Sequence, residues 1–310
     1  MPRVVVVGQV ARDLVLTIGS MPEEGGSTPV QERRELLGGK GANQAVACRQ
    51  LEAAVELIGV VGDDPPGRAV LAQAVGDGIG VDGVIRRPDA PTALLLDIVE
   101  PHGVRRLFED VDQRMLLTAD DVRGSEDALR AADAVLVQLQ QPPQAVSAVL
   151  EIASAAGSLV ITDGAAADED SRELVLRRAV VVRADTEETE ALAGWKPRDL
   201  AQTIEAAQSL VESGPRIVAL AVPTGGNVVA WQDGHVVLPL IDDDPVDPTG
   251  AGDAFVAALA ISLLQGDDMR TAGWLAAAAA AQVVGTAGGR PHLDPSELRS
   301  AARRARKMHG

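Results

Sequence analysis

The sequence predicts an α/β fold: a mostly parallel β-sheet with helices on both faces and a small accessory β-sheet. Three observations carry this reading. Short β-branched runs alternate with helical stretches along most of the chain, the pattern of βαβ units, and right-handed crossovers then place helices on both faces. The core material is Val, Leu, Ile and Ala, with 46% hydrophobic residues but only three Trp, two Phe and no Tyr, which suits buried parallel strands. Two extended, partly polar segments, 29–37 and 92–109, interrupt the alternation and read as strands of a separate sheet.

Residues 4–7 (VVVV) read as a buried strand ended by Gly8. Residues 43–51 are Ala-rich and helical, followed by a strand over 55–61 and a Gly-Asp-Asp-Pro turn at 62–65. The unit recurs: helix 68–75 to strand 81–85, helix 125–132 to strand 134–139, helix 143–156 to strand 159–162. Strand 180–182, helix 187–193, helix 200–213 and strand 217–222 follow, then apolar helical residues 256–264 and a basic terminal helix around 299–307. Within 92–109, two apolar runs flank Pro101-His102-Gly103 and pair as a hairpin. No Ser/Pro-rich linker or internal repeat is present, so residues 1–310 read as a single domain with lid strands from about 14–37 and 92–110.

The formal net charge is −17, which repels phosphate backbones and anionic lipid and argues against nucleic acid or a membrane as partner. An anionic substrate therefore needs a local site that outweighs the global field. The longest apolar run, 274–284 with one Gln, falls short of the about 20 residues that span a bilayer. A single cysteine, Cys48, excludes an intrachain disulfide, and the start of the chain lacks the pattern of a secretory signal; the expected location is cytoplasmic. Cys48 sits in an apolar helix and reads as core packing. The four histidines are scattered without metal-ligand spacing.

The most informative stretch is VDPTGAGDAF at 246–255, running into an apolar helix. Gly250, Ala251 and Gly252 make a small-residue turn at a helix start, where free N–H groups and the helix dipole attract anions. A carboxylate at Asp253, beside such a site, fits a general base that takes a proton from an attacking hydroxyl during phosphoryl transfer; it also fits a helix cap. GGKGANQA at 38–45 is a second Gly-rich helix start. It is not a Walker loop, because Gly41 follows Lys40 where Ser or Thr is required, but Lys40 and Asn43 are placed to donate to hydroxyls. Asp13, just past the first strand, falls where ligands bind in such folds.

Taken in order, Gly8 to Asp13, GGKGANQA, VGDDPPG (61–67), QLQQP (138–142) and DPTGAGDAF resemble the ribokinase-like (PfkB) carbohydrate kinase family from Val4 to about Pro291. The resemblance implies a doubly wound α/β fold with a β-sheet lid, and ATP-dependent phosphorylation of a sugar hydroxyl. It assigns Asp253 as base, Gly250, Ala251 and Gly252 as anion hole, and Asp13, Gly39, Lys40, Asn43 and Gln140 to the sugar. Asp185 and Glu188 match the Asn-x-x-Glu motif tied to Mg²⁺ and phosphate, Thr224 and Gly226 lie along the nucleotide, and Asp247 and Thr249 lie near a monovalent cation such as K⁺. A homodimer through the lid is implied. The chain departs from the pattern at Asp185 (Asn in the motif), Pro223 (Gly before the nucleotide-loop Thr), Ala11 (Asn) and Gln140 (Glu). Ribose is therefore one candidate among sugars, and two alternatives stand: a nucleoside kinase of the same fold, and a catalytically weak sugar-binding homologue.

Overall fold

A computed structural model describes residues 1–101, 104–241, 249–285 and 289–309. Its strands are β1 (Arg3–Val7), β2 (Ala11–Ile18), β3 (Val30–Gly38), β4 (Ala54–Gly62), β5 (Val84–Arg87), β6 (Leu94–Val99), β7 (Arg105–Asp110), β8 (Ala134–Gln138), β9 (Leu159–Asp163), β10 (Val181–Ala184), β11 (Ile217–Ala221), β12 (Asn227–Trp231) and β13 (Gly234–Leu238). Its helices are α1 (Lys40–Gln50), α2 (Pro65–Gly76), α3 (Ala119–Gly124), α4 (Glu126–Ala131), α5 (Pro143–Ala156), α6 (Glu169–Arg178), α7 (Glu188–Ala193), α8 (Leu200–Glu212), α9 (Ala251–Leu264), α10 (Met269–Val283) and α11 (Pro295–His309).

Nine strands form one sheet in the order β13-β12-β11-β10-β9-β8-β1-β4-β5, parallel from β11 to β5, with β12 and β13 added antiparallel at one edge. The alternation of a strand sends successive side chains to opposite faces. On β1, Val4 and Val6 join the core beneath α1, α9 and α10, while Val5 and Val7 join the opposite core with α5 and α8. Helix α9 is buried on every side from Asp253 to Ser262, the position of a hydrophobic central helix. Cys48 is fully buried, and burial pushes its thiol up to about 12, as core packing requires.

Four strands form the lid in the order β3-β2-β6-β7. β2 and β6 are parallel; the outer pairs are antiparallel. Register puts Asp13, Leu95, Asp97, Arg105, Leu107 and Glu109 on one lid face, and all of them line the cavity beneath it. No helix among the described residues is long and apolar enough to cross a membrane.

Several elements differ from the sequence expectation. Asp13 belongs to lid strand β2, not to a loop or turn at the sheet's edge, because only Gly8, Gln9 and Val10 separate β1 from β2. Helix α2 begins at Pro65 rather than 68: Asp64 caps it by accepting from Gly67 N–H at 2.8 Å, and proline is tolerated in the first turn. The strand expected over 81–85 starts at Val84, after a turn closed by Val84 N–H to Val81 O.

Candidate active site

The site lies at the carboxyl ends of the parallel strands, where β1, β8, β9 and β10 deliver Gly8, Gln138, Asp163 and Asp185 to one edge, the usual ligand position of an open α/β sheet. Helix α9 points its N-terminus into this edge. Its cap, Gly250, has φ +76°, and a Cβ there would stand 1.9 Å from the Gly289 carbonyl oxygen, so a side chain is doubly excluded. The first intrahelical bond is Ala254 N–H to Gly250 O at 3.0 Å. The N–H groups of Ala251, Gly252 and Asp253 thus lie outside the helix's own ladder, at the positive end of its dipole.

Asp253 is buried, and its two oxygens are held from α1: Asn43 Nδ2 donates to Oδ2 at 3.3 Å and Gln44 Nε2 to Oδ1 at 3.1 Å. The same Gln44 nitrogen donates to Asp163 Oδ2 at 2.9 Å, and Arg183 Nη1 donates to Asp163 Oδ1 at 2.8 Å. Burial, with the neighbouring charge of Asp163, pushes Asp253 up to about 7 against the pull of Lys40. A carboxylate poised near neutrality suits proton abstraction.

A cavity of about 700 Å³ opens in front of Asp253. It gathers Asp13, Gly39, Lys40, Asn43, Gln140, Asp185, Thr249, Gly250 and Gly252 with the lid face described above. Asp13 is also buried and pushed up to about 7, by desolvation first and then by Asp97; its Oδ1 has no hydrogen-bond partner. An orphaned buried carboxylate oxygen facing a cavity is placed to accept from a ligand hydroxyl. Lys40 Nζ pairs with Glu188 Oε1 at 3.0 Å. Burial opposes its charge, yet Asp163 and Glu188 outweigh that and hold its pKa above the ordinary lysine value. Gln140 Nε2 donates to the same Glu188 oxygen at 3.0 Å. Asp185 Oδ1 accepts from the N–H groups of Glu187 and Glu188, and Glu188 Oε2 accepts from Asp185 N–H.

On the other side of the α9 N-terminus lies a crevice of about 320 Å³ with a mostly apolar wall, including Leu240, Ile241, Phe255, Ala277 and Val284, and reached by Gly226 and Ala251. Thr224 is exposed in the turn that leads to it, closed by Gly225 N–H to Val222 O at 2.8 Å. Among the described lining residues, only Arg183 and Gly252 border both spaces. Asp247 lies outside the described residues. Among the described residues no cluster of three His, Cys, Asp or Glu forms a metal cage.

The sequence reading did not single out Gln44, Asp163, Arg183, Asp97 or Arg105. Gln44 stood inside a quoted motif; the others acquire their place from strand register, as when β9–β10 pairing sets Asp163 opposite Arg183.

Comparison with known proteins agrees with this geometry. The chain is 29% identical over 264 residues to a bifunctional ribokinase/ribose-5-phosphate isomerase A of Fructilactobacillus sanfranciscensis, covering 85% of this chain but only about half (49%) of that protein's length. It is 30% identical over 294 residues to an ATP-dependent ribose-1-phosphate kinase of Halopiger xanaduensis, covering 94% of each. The structure of Arabidopsis thaliana ribokinase complexed with ribose and ATP superposes with a TM-score of 0.77 at 25% identity over 98% of both chains. The model of the pfkB family carbohydrate kinases matches residues 1–295. With a nine-stranded sheet, a four-stranded lid and a glycine-capped helix aimed between two cavities, the chain belongs to the pfkB family of carbohydrate kinases, phosphotransferases that act on sugars.

Proposed function

We propose that residues 1–310 act as one catalytic domain that transfers the γ-phosphoryl group of ATP to a hydroxyl of a small sugar, with Asp253 as general base. The observation that carries this reading is the placement of Asp253: buried, pushed up to about 7, and set at the helix N-terminus where a polar cavity and an apolar crevice meet. The cavity takes the sugar, with Asp13, Gly39, Lys40, Asn43 and Gln140 at its hydroxyls. The crevice takes the base of the nucleotide, its triphosphate passing Gly226 toward the N–H groups of Ala251 and Gly252. As the hydroxyl oxygen attacks, its proton passes to Asp253, and the α9 N-terminus receives the charge that develops on the transferring group.

Mg²⁺ usually binds through one or two carboxylates plus substrate phosphates, so the absence of a three-ligand cage among the described residues does not count against it. Asp185, on the cavity wall, and Glu188 beside it would hold it there. When bound, Mg²⁺ neutralises phosphate charge. Thr249 and Asp247 remain the proposed neighbours of K⁺. No aromatic side chain lines the cavity among the described residues, which favours a sugar over a nucleoside, whose base wants a stacking surface. Exposed Val30 and Phe108 on the lid strands support the expected homodimer through the lid.

The test is ADP release with Mg·ATP and K⁺ against pentoses, hexoses, ribose 1-phosphate, sugar acids and nucleosides. One sugar should give robust turnover that Asp253→Asn reduces by about 10²–10⁴-fold with ATP binding kept. Silence across the panel from a folded, ATP-binding protein would turn the reading toward a sugar-binding homologue.

A further inference from the structure

The proposed mechanism leaves one buried cation without a task. Arg183 lies one residue before the end of β10, with only 9% of its surface exposed. Its pairing with Asp163 uses Nη1, one nitrogen of three; Nε makes no hydrogen bond, and Glu188 Oε2 stands 3.9 Å from Nη1, beyond hydrogen-bond range. A guanidinium has five N–H donors, and burying it costs heavily unless they are used.

Its position indicates where they are used. Arg183 and Gly252 together form the partition between the polar cavity and the apolar crevice. A Cβ on Gly252 would stand 2.7 Å from Nη2 and 3.0 Å from Cζ, so the absence of that side chain is what lets the guanidinium lie against the first turn of α9. Four carboxylates, Asp163, Asp185, Glu188 and Asp253, surround this point, with Lys40 and Arg183 as the cations among them. Lys40 is drawn to Glu188 on the sugar side. Arg183 is the cation at the junction itself.

We propose that Arg183 is a catalytic residue that binds the transferring phosphoryl group, its unused N–H donors meeting the phosphoryl oxygens opposite the α9 N-terminus. The assignment rests on the kinase reading and deepens it. In the step, the bond from the sugar oxygen to the γ-phosphorus forms as the bridging β–γ P–O bond breaks. The electron pair of that bond leaves with ADP, the hydroxyl proton goes to Asp253, and Arg183 keeps its protons throughout. The Asp163 pair then orients the fork.

The competing role for Arg183 is to neutralise Asp163, which reaches Asp253 through Gln44. Turnover and binding of ADP–aluminium fluoride with Mg²⁺ and the sugar separate the two roles, measured in R183M, R183K, D163N and R183M/D163N. The double variant removes both members of the buried pair, avoiding the uncompensated buried charge of R183M alone, and its circular dichroism and Tm are checked against D163N. R183M/D163N should fall about 100-fold below D163N in kcat, with the sugar KM within about threefold. Affinity for ADP–aluminium fluoride should fall by a similar factor while ADP alone binds normally. R183K should recover at least tenfold of the turnover that R183M loses, through a single-point contact. A double variant that matches D163N in turnover and in ADP–aluminium fluoride affinity would overturn the assignment and leave the kinase reading intact. Wild-type protein that neither turns over any sugar nor binds ADP–aluminium fluoride would remove both.

Discussion

The two spaces that meet at α9 differ sharply in how much charge lines them. The cavity under the lid sets Asp13, Asp97, Arg105, Lys40, Asp253 and several amide groups among the aliphatic side chains of Leu95, Leu107, Val111 and Leu116. The crevice behind it is walled mainly by Ala, Leu, Ile, Val and Phe, and among its described lining residues Arg183 is the one ionised side chain. A polyol is recognised by directional hydrogen bonds, each worth more when the partner is charged. A planar heterocycle is held mainly by contact area and exclusion of water. Under the proposed function, the difference teaches that selectivity for the phosphoryl acceptor and affinity for the donor are carried by separate residues, with only Arg183 and Gly252 shared among the described ones.

Perturbing one side should therefore leave the other nearly unchanged. The larger effect is expected from Asp13→Asn, which removes charge-assisted hydrogen bonds worth about 1.5–3 kcal/mol each. The sugar KM should rise about 100-fold while the ATP KM changes by less than about threefold, in initial-rate measurements with each substrate varied. Equal rises in both constants would break the comparison. Next, Ala281→Phe fills part of the crevice, and the ATP KM should rise about tenfold with the sugar KM unmoved, since overpacking costs about 1–3 kcal/mol.

The smallest effect is on stability and sharpens the comparison through pH. Asp13 and Asp253 are both raised to about 7 from the ordinary aspartate value of 3.8. A carboxyl whose folded pKa lies above its unfolded one holds its proton in the folded state through that window. Its contribution is thus full below about pH 4 and lost as pH rises through about 7. Asp253→Asn, which cannot ionise, should raise Tm by about 3 °C at pH 8 and leave it unchanged at pH 4, by calorimetry. For wild-type protein, kcat/KM should climb with pH through the same region, because the base acts deprotonated.

Much of this was legible beforehand because the signals were local. Helix α5 matched its expected span, 143–156, since Pro143 opens it and Gly157, with φ +80°, closes it. Asp253, Asn43 and Gly250 were legible from two glycine-rich helix starts. What escaped depended on partners distant in sequence. Nothing local in the sequence marks Arg183; it gains its place when β9 is set beside β10 and Asp163 meets it. The antiparallel edge β12–β13 was missed although Asp233-Gly234 marks its turn. Helix α6 was missed because only Val175 and Leu176 are buried in a run of charged residues, leaving little periodicity to see.

The short link between β1 and β2 has a mechanical consequence. Gln9, at its middle, donates its N–H to Gln138 Oε1 at 2.6 Å on the floor of the site, and its carbonyl accepts from Ala42 N–H at 3.2 Å on α1. Strand β3 ends at Gly38, adjacent to the α1 cap that precedes Lys40 and Asn43. The lid is therefore a lever whose fulcrum is welded to the helix that grips Asp253. Under the proposed function, a sugar held at Asp13 would be coupled through Val10, Gln9 and Gly8 to the helix that holds Asp253, so that acceptor capture and alignment of the base are mechanically linked.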